Sequence, residues 1–416
     1  MTNEPVSNDA TDATSYPLIP ISRPFIGAEE AQAAADAVRS GWLSAGPRVA
    51  DFERAVAERV GVAHAVAVSS GTAALHLALL SAGLRPGDEV IVPSFGDIAT
   101  VNAIFYVGAR PVFVDIDARS YDMAPMLIEP LITQRTRAIL PVDHLGLPAA
   151  LAPILGIARR YNLTLIEDAS AALGAIYRGK PVGSVSPITC FSFQQDCAIT
   201  TGEGGMLVTN DERIVAQARM LRDQGLSETG APTPFRRESE LAHDGSYDEL
   251  GYTYRLTDVQ AAIGIAQLDR LDDILARRRA VAARYAELLA GEPGVQTPYA
   301  PDHAPHTYQG YCLRLDLRTT PARSLIMERM RGRGIMVRRG GVTVHEEPYY
   351  VSRMGRLSLP ASEAAMRETL RLPLYAEMTE EEQDRVIAAL RDALRAGPRP
   401  DFGGGVIGPM RGNYLY

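Results

Sequence analysis

Residues 189–211 read TCFSFQQDCAITTGEGGMLVTND. Two apolar runs, TCFSF (189–193) and GMLVT (205–209), are separated here by a glycine-containing loop and not by a helix. A pair joined in this way is expected to run antiparallel, because a parallel pair needs a crossover of a dozen or more residues, usually a helix. Upstream the pattern is different. Short apolar runs, AVAV (65–68), EVIVP (89–93), PVFVDI (111–116), AILPV (138–142) and LTLIE (163–167), alternate mostly with amphipathic stretches such as TAALHLALLSAGL and LAPILGIARRYN. Strands alternating with helices predict an α/β domain with a mostly parallel sheet, to which the 189–209 pair adds one reversed strand.

Further along, residues 257–290 predict one long helix joining two domains. Beyond it, strand (YCLRLDL), helix (RSLIMERMRGRG), strand (IMVRR) and a final helix predict a small α+β domain. The final helix should begin at Thr379, since Glu382 three residues on completes a capping box. The chain thus divides into a polar leader (1–16), a large domain (17–256), a connecting helix (257–290), a small C-terminal domain (291–396) and a glycine-rich tail (397–416).

The chain has 416 residues and a net charge of -8. That charge argues against nucleic acid or an anionic membrane as partner. Three scattered cysteines give neither a disulfide framework nor a metal knuckle. The first residues lack the basic start and apolar core of a signal peptide, so a cytoplasmic location is expected. Among 42 basic residues the only lysine is Lys180. Any chemistry that needs a lysine amine has that single candidate.

Several segments in order, among them SGWLSAGPRVADFE (40–53), HAVAVSSGTAALHLALL (64–80), LIEDASAALGA (165–175), FSF with TTGEGGMLVTND, ELGYTYRLTDVQAAIG (249–264) and RLPLY (371–375), resemble the DegT/StrS sugar aminotransferases. The resemblance runs from about Pro20 to Leu394. It implies a fold-type I pyridoxal phosphate (PLP) transferase domain, a small C-terminal domain, and a homodimer with its sites at the subunit interface. It also implies site roles. Gly71 and Thr72 open a helix after a strand and would hold the cofactor phosphate with their backbone N–H groups. Ser192 would add a hydrogen bond, and Asp168 would pair with the pyridine nitrogen.

Other positions depart from the family pattern. Four residues after FSF the family carries the lysine that holds PLP as an imine; here Cys197 stands there. Lys180 lies in RGKPVG, a surface turn. Asp97 replaces an aromatic residue that stacks on the ring, Thr253 an asparagine that crosses the dimer, and Asp143 a common histidine. Asp97, Asp143, Asp168, Asp196 and Glu203 would then place several carboxylates about one pocket, which calls for a cation: a metal ion, an amine-bearing substrate or a shared proton. Cys197, Asp97, Asp143 and His144 are the candidate catalytic groups, and Arg338, Arg339 and His345 the candidate substrate contacts. The expectation is an enzyme acting on a sugar, cyclitol or similar polar metabolite in secondary-metabolite biosynthesis, without covalently bound PLP. Two alternatives stand beside it: a dehydratase-like enzyme using non-covalent pyridoxamine phosphate (PMP), and a catalytically silent partner of an active paralogue.

Overall fold

A computed structural model describes residues 17–227 and 246–395. The leader (1–16), the tail (397–416) and most of the polar stretch near 226–247 lie outside the described residues. The main sheet has seven strands: β1 (His64–Val68), β2 (Glu89–Pro93), β3 (Arg110–Val114), β4 (Thr136–Ile139), β5 (Thr164–Asp168), β6 (Ile188–Ser192) and β7 (Gly205–Thr209). Their order is β1-β7-β6-β5-β4-β2-β3. Strand β7 runs antiparallel to both neighbours, and the pairs from β6 across to β3 are parallel. The loop at 194–204 is thus a reversal, as its sequence implies.

Alternate residues of each strand enter different cores. Val66, Val68, Val90 and Val92 pack into one cluster, and Ala65, Ala67 and Ile91 into another. Both faces of the sheet are covered, which is why the strands read as unbroken apolar runs and not as alternating ones. One cover includes α1 (Gly71–Ser81), α2 (Ile98–Tyr106) and α3 (Glu212–Arg222). The other includes α4 (Asp258–Asp269) and the start of α5 (Leu271–Leu288).

The single helix expected over 257–290 is in fact these two, α4 and α5, broken at Arg270 (φ -99, ψ 1). Nothing in LDRLDD marks a break, since it holds no Gly or Pro. Tertiary contacts hold the kinked residue instead. The Arg270 guanidinium donates to buried Glu30 at 2.8 Å and lies 4.1 Å above the Phe25 ring.

A second, antiparallel sheet carries β8 (Val295–Gln296), β9 (Tyr311–Leu315), β10 (Arg338–Arg339) and β11 (Thr369–Leu372) in the order β8-β9-β11-β10. Its own core includes Leu313, Leu315, Leu370 and Leu372, with residues of α5 and of the final helix α6 (Glu380–Arg395). The expected capping box is present: Thr379 N–H donates to Glu382 at 3.0 Å, and Glu382 N–H to Thr379 Oγ1 at 3.1 Å.

Candidate active site

The strand ends of β5 and β6 and the start of α1 come together. Ser70 caps α1, accepting from Ala73 N–H at 3.1 Å, which leaves the first N–H groups of the helix facing outward at its positive end. Gly71 lies against Ser192, the last residue of β6. A Cβ on Gly71 would stand 2.7 Å from Ser192 Cβ, so only glycine admits this approach. Asp168, ending β5, is buried. Its Oδ2 accepts from Thr100 Oγ1 at 2.6 Å, and its Oδ1 from Ser170 Oγ at 2.5 Å and Ser170 N–H at 3.1 Å. Burial raises its pKa against these hydrogen bonds, and the charge of Asp97 raises it further. Gly71, Ser192 and Asp168 thus lie in one neighbourhood, joined through Ser170.

The expected catalytic group does not assemble in the same way. Asp97 is exposed and caps α2, accepting from Ala99 N–H at 2.8 Å. Asp143 is buried on the opposite side of the sheet edge from Asp168: it accepts from Ala149 N–H at 2.8 Å and has Glu167 as its charged neighbour. Strand parity explains this, because Glu167 and Asp168 are consecutive in β5 and point to opposite faces. Burial pushes the Asp143 carboxyl well up, and Glu167 and Asp122 add to the shift. His144 is buried between Phe95 and Tyr121, with ring centroids 5.1 Å and 6.0 Å away, and burial lowers its pKa to about 4. It is neutral at physiological pH.

Cys197 sits within this region, beside Asp168's neighbour Ser170. Its Sγ lies 3.4 Å from the Ser170 carbonyl and 4.0 Å from Gln309 Nε2. Burial pushes the thiol to about 12. A thiol that keeps its proton at neutral pH is a poor nucleophile, which corrects the expectation of a reactive cysteine. Lys180 is exposed in a two-stranded hairpin, Ile176–Tyr177 with Lys180–Pro181, as its turn sequence implies.

The predicted cluster of carboxylates also divides. Asp196 pairs with Arg338 at 2.9 Å, Glu203 is exposed, and Asp143 turns to Glu167. Among the described residues no three His, Cys, Asp or Glu side chains are arranged to hold a metal ion. The five carboxylates therefore do not gather about one pocket. Of the substrate candidates, Arg338 and Arg339 are exposed on β10. His345 is not available: it is buried, with Nδ1 2.6 Å from Ser94 Oγ and Nε2 3.6 Å from Glu363. Thr253 takes a hydrogen bond from Gln224 within the same chain.

Two buried arginines near Cys197 escaped sequence reasoning. Arg278 donates to the Tyr308 and Gln309 carbonyls at 2.8–3.1 Å, and burial lowers its pKa to about 10. Arg371, between two leucines of strand β11, donates from Nη2 to the Gln309 carbonyl at 2.9 Å. An arginine inside TLRL is the one signal the sequence carried for it.

The DegT/DnrJ/EryC1/StrS aminotransferase family matches residues 24–391. The chain belongs to that family. It is 40% identical over 383 residues to the GDP-perosamine synthase of Caulobacter vibrioides, covering 92% of this chain and all of that protein. It superposes on S. venezuelae DesV in complex with a ketimine intermediate, with a TM-score of 0.82 at 33% identity, over 92% of this chain and 100% of that one. The PMP form of Spr1654 from Streptococcus pneumoniae gives a TM-score of 0.84 at 26% identity, over 90% and 98%. Fold and family are those of the PLP sugar aminotransferases. Among the described residues no helix is long and apolar enough to cross a membrane.

Proposed function

We propose that this family member acts on a sugar, cyclitol or similar polar metabolite in a biosynthetic route, with no lysine-bound cofactor. The observation that carries the reading is the pair of positions 197 and 180. A buried thiol stands at position 197, where the resemblance implies a lysine, and the chain's one lysine is exposed on a hairpin. The family and the name of the Caulobacter relative support the sugar class.

The residues fit a phosphopyridine cofactor held without a covalent bond. Gly71 and Thr72 would hold its phosphate through the free N–H groups of α1, with the Ser192 hydroxyl beside them. Asp168 would face the ring nitrogen; three of its lone pairs are used by Thr100 and Ser170, and a carboxylate has about four. Such a cofactor, when bound, supplies an electron sink. The chain's own contribution is orientation. Thr100 and Ser170 fix the Asp168 carboxylate, and its burial strengthens any contact with a protonated nitrogen. Cys197 keeps its proton and cannot take the lysine's role as base. Neutral His144, with an unpartnered Nε2, is the candidate to accept one.

Calorimetric titration with PMP tests the reading. Wild-type protein should bind PMP, and Asp168→Ala should weaken it by about tenfold or more, the loss of a charge-assisted hydrogen bond. Equal binding by wild type and variant would contradict the placement of the ring.

A further inference from the structure

Arg338 and Arg371 face each other directly across β10 and β11. Like charges in such a pair repel and destabilise the sheet unless something negative lies between them. Asp196 supplies one carboxylate, and it bonds Arg338. Its charge reaches Arg371 and Arg278 as well, which brings all three guanidiniums into one neighbourhood with Cys197. Three guanidiniums therefore stand against one carboxylate. Arg371 is only 8% exposed, has no carboxylate partner among the described residues, and its Nε is buried with no hydrogen-bond acceptor. Arg278, also buried, holds only backbone carbonyls. A buried guanidinium without an anion is costly, and both arginines stay charged even with depressed pKa values.

We infer that Arg371 and Arg338, flanked by Arg278, form a subsite beside Cys197 for a carboxylate group of the substrate. A planar carboxylate suits a guanidinium fork, and it would relieve the cross-strand repulsion that Asp196 relieves on one side only. The substrate class is then an acidic sugar or a related polar acid. The inference takes its location from the proposed active site, and its test needs no cofactor, so the two can fail separately.

The experiment is calorimetry with sodium D-glucuronate and its neutral counterpart D-glucose, at constant ionic strength, on cofactor-free protein. Glucuronate should bind and glucose should not. Arg371→Gln should weaken glucuronate about tenfold. Asp196→Asn should act in the opposite direction and tighten it, because it frees Arg338. If Arg371→Gln does not fold, Arg338→Gln, on an exposed strand, carries the same expectation. Three results would overturn the subsite: glucose binding as tightly as glucuronate, Asp196→Asn leaving glucuronate binding unchanged or weaker, or inorganic phosphate binding in an Arg371-dependent way while glucuronate does not.

Discussion

Gly71 shows how far one residue type determines this site. Its missing side chain lets the start of α1 close on Ser192, and Gly71→Ala would push a methyl group to 2.7 Å from Ser192 Cβ. Overpacking of this kind costs about 1–3 kcal/mol. A urea midpoint should fall accordingly, and Ser192→Gly in the same background should restore part of it; no fall would show that the two residues have room to separate. Cys197 offers the complementary test. Cys197→Lys puts an amine beside Arg278 and Arg371, and burial with like charges lowers a lysine pKa, which favours the nucleophilic form. Added PLP should then give a visible band that survives gel filtration. A variant as colourless as wild type would mean that position 197 does not face the cofactor. Both residues were legible in the sequence, one from its place after a strand and one from its spacing to FSF. Arg371 was not legible as a site residue, because its partner Arg338 lies 33 positions away in the chain and only the strand register unites them.

At the level of elements, strand parity decides which carboxylates meet. Asp143 follows Val142, which bridges Asp168, so its side chain turns to Glu167 on the other face. Its pKa is raised by burial and by Glu167, so the folded state keeps a proton that the unfolded chain loses near pH 4. Stability from that proton is complete below the unfolded pKa and declines as pH rises toward the folded one. Asp143→Asn cannot ionise, and its side-chain oxygen can still accept from Ala149 N–H. Its urea midpoint relative to wild type should therefore rise between pH 5 and pH 8; a difference independent of pH would mean the carboxyl is not protonated in the fold. The two-residue pairing of Phe95–Gly96 with Val342–Thr343 joins the main sheet to the segment after β10. Ser94 secures it, accepting from His345 N–H at 3.1 Å and meeting Nδ1 at 2.6 Å. Ser94→Ala leaves buried polar groups unpaired, at a cost of about 1–3 kcal/mol, readable in the same assay. The seven strands and the capping box at Thr379 were legible because each rests on local pattern. The break at Arg270 was not, because a buried Glu30 more than two hundred residues earlier holds it.

For the whole molecule, the fold is that of the sugar aminotransferases. The resemblance implies a homodimer, and sedimentation at micromolar concentration should show one; a stable monomer would remove the neighbouring subunit from the account. Charge was the feature hardest to foresee. The sequence placed acidic residues near the site, and folding paired, capped or exposed most of them while it gathered three arginines around Asp196. The central claim is that this chain carries no lysine-linked cofactor. Its most direct test is to incubate the protein with PLP, reduce with borohydride, and map the peptides by mass. The account predicts no pyridoxyl group fixed in the active site and no visible band before reduction. A pyridoxyl adduct on Lys180 accompanied by such a band would contradict it.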